Sequence, residues 1–171
     1  TSIDDVALVN LEGAGMIGVP GTAHRLFGAL HEAGISVILI SQGSSEHSIC
    51  FAIPAGQASL AERAVRQAFA VELRDGQIQS VEVADTCSII AIVGDGMAGS
   101  HGIAGKLFAA LGAAGVNIRA IAQGASERNI SFVVDRKETA KALRTVHAGF
   151  YLSPHTLSIG LIGPAAGVVA L

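Results

Sequence analysis

Residues 42–51 read Gln42-Gly43-Ser44-Ser45-Glu46-His47-Ser48-Ile49-Cys50-Phe51, and 81 positions further on the chain reads Gln123-Gly124-Ala125-Ser126-Glu127-Arg128-Asn129-Ile130-Ser131-Phe132. The match extends outward without a gap, residues 6–69 on residues 87–150, with about 23 of 64 aligned pairs identical, so the folding unit is a module present twice. Two copies make a tandem duplication; a solenoid needs about three or more repeats. Identities gather at glycines, where Gly13, Gly15, Gly18 and Gly21 recur as Gly94, Gly96, Gly99 and Gly102, and Met16 recurs as Met97.

Each copy predicts the same order of elements. Val6–Leu11 and Ile89–Val93 are short apolar runs that enter glycine-rich loops, as buried strands do. After the loop, Ala23, Leu26, Phe27, Leu30 and Ala33 fall at helical spacing and Gly34 stands at the stop; Ala104, Leu107, Phe108, Leu111, Ala114 and Gly115 repeat this. Ile35–Ile40 and Val116–Ile121 read as second strands. The Gly/Ser turns after them lead into third strands, Ser48–Ile53 and Ile130–Val134, forming hairpins. A second helix carries Leu60, Ala64, Val65 and Ala68 on one face, matched by Ala140, Leu143, Val146 and Phe150. With Ile78–Val83 as a closing strand this is a ferredoxin-like βαββαβ unit, so the expected class is α+β with two such modules. A further strand, Thr156–Ile162, closes one module or the other. The expected division is 1–84, 85–155, and a strand with the start of a linker over 156–171.

Of 171 residues, 50% are hydrophobic and 15% charged, more apolar surface than two modules of roughly 80 residues bury alone. That excess predicts packing of module on module and a homodimer or higher homo-oligomer. It does not predict a membrane span, since no run of about 18 apolar residues exists, and the first residues lack the basic and apolar regions of a secretory signal. A net charge of −3, one Tyr and no Trp remove the basic footprint and stacking platform of a nucleic-acid binder. The two cysteines, Cys50 and Cys87, lie in apolar runs without metal-ligand spacing and read as buried thiols of a reducing cytoplasm. The six histidines form no constellation with Ser, Asp or Cys; no catalytic set and no metal site is expected.

Gly13-Ala-Gly15-Met-Ile-Gly18 spells G-x-G-x-x-G, and Gly94-Asp-Gly96-Met-Ala-Gly99 spells it again. Alone this is a dinucleotide fingerprint. Its double occurrence, the missing acid at the end of the next strand, and the hairpin in place of a continuing parallel sheet all speak against it. What remains is a loop that delivers backbone N–H groups at a helix start, Pro20–Ala23 and His101–Ala104, which attracts a carboxylate. Opposite stands Gln42 or Gln123, whose amide offers donor and acceptor together. A small amino acid fits those groups, although glycines that only make turns and a Gln that only caps a hairpin would leave the same pattern.

Met16-Ile-Gly18-Val-Pro20-Gly21-Thr-Ala-His-Arg-Leu26-Phe27, then Ile40-Ser41-Gln42-Gly43-Ser-Ser45-Glu46, resembles the tandem ACT domains of aspartate kinases. The second copy, Val93-Gly94-Asp95-Gly96-Met97 through Ala120-Ile121-Ala122-Gln123-Gly124, is similar to the threonine-sensitive branch fused to homoserine dehydrogenase. Phe150 to Pro164 resembles the linker and first strand of that dehydrogenase; Ala165 stands where its nucleotide loop has a glycine, so no cofactor is assigned to this stretch. The resemblance implies a non-catalytic regulatory region that senses L-threonine for a longer enzyme using ATP, Mg and NAD(P)H. It also implies that Gln42 and Gln123 contact the effector, that Gly18, Pro20 and Gly21 with Gly99, His101 and Gly102 present the loop donors, and that Ile40 and Ile121 flank the pockets. Asp95, where the first copy has Ala14, would meet the ligand ammonium in the second pocket only, giving unequal affinities; a plain turn residue is the other reading. A dimerisation module without ligand and a nucleotide-binding module are the rival functions.

Overall fold

The computed structural model describes residues 1–151, and the expected strand Thr156–Ile162 lies outside them. The first copy runs β1 (Ser2–Glu12), α1 (Thr22–Glu32), β2 (Leu39–Gln42), β3 (Ser48–Pro54), α2 (Ala58–Ala68) and a short α3 (Ala70–Arg74) into β4 (Ser80–Val93). The second continues from β4 through α4 (Ile103–Ala113), β5 (Ala120–Gln123), β6 (Asn129–Asp135) and α5 (Thr139–Tyr151). All pairings are antiparallel in one six-stranded sheet of order β2-β3-β1-β4-β6-β5. The parallel βαβ frame on which a dinucleotide fingerprint depends is therefore not what these glycines serve.

The second strands differ from expectation. The ladder begins at Leu39 and Ala120 rather than at Ile35 and Val116, and ends on Gln42 and Gln123. Ile35 and Val116 are buried, but each donates its N–H back to the preceding helix, Ile35 to Leu30 O and Val116 to Leu111 O, both near 3 Å. Their apolarity serves the core while their backbone closes the helix.

The closing strand of the first copy and the opening strand of the second are one 14-residue strand, so the expected boundary between residues 84 and 85 falls inside β4. β1 pairs with β4 along its whole length, from Ser2↔Ile90 to Glu12↔Ser80. Two bulges interrupt that ladder: Asp4 and Asp5 stand opposite Ser88, and Asp85 and Thr86 opposite Ala7. The bulged residues are equivalent in the repeat, so the strands meet across a local two-fold axis. Asp5 adopts φ 55, a conformation Asp tolerates better than most residues, and pairs with Arg136; Asp4 accepts the buried Ser88 hydroxyl at 2.9 Å.

One face of the sheet packs its helices in two repeat-related cores, around Phe51, Leu26 and Val65 and around Phe132, Leu107 and Val146. The other face closes on itself around Val6, Leu8, Leu39, Cys87, Ile89 and Val133. The sheet curls far enough for its two outermost strands to meet, where the Ser41 hydroxyl donates to Ile121 O at 2.8 Å. Burial in this inner layer pushes the Cys50 thiol up to about 11 and raises that of Cys87 as well.

Gly13 and Gly94 are equivalent in sequence and different in surroundings. A Cβ at Gly13 would lie 2.5 Å from Gln77 O and from Ile78 Cα, whereas at Gly94 the nearest atom is Met97 Cγ at 3.7 Å. Gly13 is extended (φ 172), so the obstacle is overlap with fixed backbone and not strain. Gly13→Ala is expected to destabilise the fold by about 1–3 kcal/mol, and Gly94→Ala by less than about 0.5 kcal/mol. Urea unfolding of the two variants checks this; equal costs would mean that the segment before β4 does not seat against the loop.

Candidate effector pockets

Two equivalent cavities lie at the junction of glycine loop, helix start and hairpin turn. The first, about 320 Å³, is walled by Met16, Gly18 to Ala23, Gln42, Glu46 and Ile49. The second, about 340 Å³, is walled by Met97, Gly99 to Gly105, Gln123, Glu127 and Ile130. Gln42 and Gln123 reach them as the last, exposed residues of β2 and β5.

The loops are shaped by glycines at positive φ. Gly18 (69°) and Gly21 (88°) match Gly99 (71°) and Gly102 (82°), and a Cβ at any of the four would meet open space, so the conformation and not crowding demands glycine. Gly21 and Gly102 are the N-caps of α1 and α4, and neither helix has a side-chain cap. The first-turn N–H groups, around Ala23 and Ala104, have no partner within their helices and carry the positive end of the dipole. Three other loop donors are paired: Gly13 N–H bonds His47 O and Gly15 N–H bonds Gln77 O, both at 2.9 Å, and Gly94 N–H bonds Arg128 O at 3.0 Å. Gly13, Gly15 and Gly94 therefore knit loop to fold instead of cradling a phosphate.

Glu46 and Glu127 supply the acid of the two cavities. Each Oε2 accepts the N–H of its loop glycine, Gly18 or Gly99, at 2.8 Å. Sequence reasoning read this glutamate as part of a hairpin turn, although its exact recurrence was the available signal. Asp95 is not in the wall of the second cavity, and its side chain is 97% exposed with Arg128 Nε at 3.7 Å. Each cavity wall has one carboxylate, Glu46 in the first and Glu127 in the second. Ile40 and Ile121 share the outward face of their strands with Gln42 and Gln123 but stand outside both cavity walls, 48% and 41% exposed. Gly18, Pro20 and Gly21, and Gly99, His101 and Gly102, are in the walls.

The copies differ behind the loop. In the first, Arg25 pairs with Glu72 and stacks 4.1 Å from the Phe69 ring centroid, and its hydrogen bond holds the Glu72 carboxyl below the usual range. In the second, Lys106 takes the same place over Phe150 at 5.0 Å. A larger cavity, about 780 Å³, opens between Ile90 and Ile92 of β4 and Leu143 and Val146 of α5. Its lining is mainly apolar, and the repeat-related surface of β1 and α2 is covered by Val81 and Val83. It lacks the convergent donors and acceptors of the paired sites. Among the described residues no three His, Cys, Asp or Glu side chains gather as metal ligands, and no helix is long and apolar enough to cross a membrane.

Residues 9–69 and 90–150 each match the ACT domain family. The chain is similar to bifunctional aspartokinase/homoserine dehydrogenase 1, chloroplastic, of Arabidopsis thaliana, 50% identical over 163 residues that make up 95% of this chain and 18% of the relative. The bifunctional aspartokinase/homoserine dehydrogenase of Haemophilus influenzae is 43% identical over 95% of this chain and 20% of its own length. This chain thus spans about a fifth of these curated relatives. Among solved structures, the regulatory subunit of aspartate kinase from Thermus flavus superposes with a TM-score of 0.75 at 29% identity, over 88% of this chain and 95% of that one.

Proposed function

The chain belongs to the ACT domain family, and from that premise we propose that it is the amino-acid-sensing region of a bifunctional aspartokinase/homoserine dehydrogenase, with L-threonine as its feedback effector. The observation that carries this reading is the repeated pairing of an uncapped helix start with an amide and a carboxylate around one small cavity. A zwitterion is complementary to that set. Its carboxylate takes the helix N–H groups, its ammonium lies toward Glu46 or Glu127, and Gln42 or Gln123 bonds a remaining polar group, the side-chain hydroxyl in the case of threonine. This chain contributes binding alone; phosphoryl transfer from ATP with Mg, and NAD(P)H-dependent reduction, belong to the rest of the parent enzyme on this reading. Control of those activities follows when the ligand binds one arrangement of the assembled enzyme more tightly than another, a coupling of typically about 1–3 kcal/mol. We place the region in a homo-oligomer and, from its two thiols, in a reducing compartment such as the cytoplasm.

Isothermal titration calorimetry of the chain with L-threonine, beside L-lysine, L-methionine and NADPH, tests the reading. Saturable threonine binding at two sites per chain is expected, with no heat from NADPH. Binding of lysine alone would keep a sensor and replace its effector. Silence from every amino acid would leave the repeat a role in assembly only.

A further inference from the structure

Glu46 and Glu127 are held in a backbone conformation that costs energy. Both have φ 55, and with Asp5 they are the only non-glycine residues at positive φ among those described. Each sits in a tight turn closed by its own N–H, Glu46 to Gly43 O and Glu127 to Gly124 O, both at 3.0 Å. Asn or Gly would adopt this turn more readily. The strain is offset, in both copies alike, by a charge-assisted bond from the loop N–H to the carboxylate at 2.8 Å.

That bond places a carboxylate of the protein in the mouth of a cavity whose donors attract a carboxylate. A second anion brought to the helix start comes close to the first, and like charges so near one another repel. From this geometry we infer that Glu46 and Glu127 are exchangeable latches. In the empty site each closes its loop through Gly18 or Gly99. When an amino acid enters, the ligand carboxylate replaces it on the loop, and the released side chain turns to the ligand ammonium. This rests on the amino-acid reading of the two pockets and adds to it the state in which they wait. The loop between Gly18 and Gly21, with a positive-φ glycine at each end, is the part that would shift.

Charged neighbours surround both latches. His47 Nε2 lies 3.3 Å from Glu12 Oε1 beside Glu46, the Arg128–Asp95 pair adjoins Glu127, and His101 is in the second cavity wall. The test must separate their titration from that of the glutamates. Amide NMR spectra of the chain, recorded as a function of pH, should show the Gly18 and Gly99 resonances following the glutamates in the free protein. Glu46→Gln should abolish this at Gly18 only, and Glu127→Gln at Gly99 only. Glu46→Gly, which removes the carboxylate and the strain together, should repeat the first result in a backbone that folds more easily. Saturation with L-threonine should erase the dependence at both glycines of the unmutated chain. If threonine saturates while both glycines still follow the glutamates, the latches do not open and the exchange is wrong, with the binding site intact. If L-threonine, L-lysine and L-isoleucine all leave the spectra unchanged, the amino-acid reading fails and the exchange fails with it.

Discussion

Phe132→Ala is expected to lower the stability of the whole chain by about 3–5 kcal/mol, the cost of emptying a fully packed aromatic site. Phe132 is 0% exposed on β6, paired in register with Ile90 on one side and Ile121 on the other, and packed in the core that holds Leu107 and Leu111. A domain of this kind has only about 5–15 kcal/mol in total, so the midpoint should fall by roughly 10 °C or more. The loss should not stay in the second copy. β4 belongs to the ladders of both copies, and unfolding one half of it removes hydrogen bonds from the other. One cooperative transition, displaced as a whole, is therefore expected by calorimetry and by circular dichroism. Two transitions, with only one of them moved, would show that the continuous sheet does not couple the modules. Phe51→Ala tests the same point from the first copy, where Phe51 also meets Phe27 edge-on at 6.1 Å between centroids.

Replacing Gln42 and Gln123 together by Ala should weaken amino-acid binding at each site by roughly two- to tenfold. A hydrogen bond between neutral groups contributes about 0.5–1.5 kcal/mol, and about 1.4 kcal/mol is a factor of ten in affinity. Both side chains are exposed at strand ends, so removing them costs the fold little and the effect is one of recognition. The single variants carry more information. Each should weaken its own site and leave the other with the affinity it has in the unmutated chain. A double variant that binds as the parent does would remove the glutamines from the site.

The repeat made the modules legible, because a 3.6-residue spacing and a hairpin motif occurring twice at one offset exclude most accidents. Its limits lie where local pattern and tertiary structure part. Ile35–Ile38 has the composition of a strand, yet its place is a connection from which Ile35 and Val37 enter the core before the ladder starts at Leu39. Ile78–Val83 and Ile89–Val93 read as two strands because Asp85 and Thr86 interrupt the apolar pattern; in the structure those residues form a bulge in one strand. Asp95 is the acid that differs between copies, whereas the acids in the cavity walls are the identical pair Glu46 and Glu127. Difference draws attention in a repeat, but a pocket kept in two copies is built from what stays the same.

The shared strands also set what this chain can become. β1 completes the ladder of the second copy through Ser2 and Ile3, and β4 completes that of the first through Ser80 to Val83. A cut between residues 84 and 85 would divide the continuous β4 and take Ser2 and Ile3 away from their partners Ile90 and Ile89 in the second copy. The shared ladder thus ties the two copies into one sheet, in which each can change by substitution more readily than by loss of its partner.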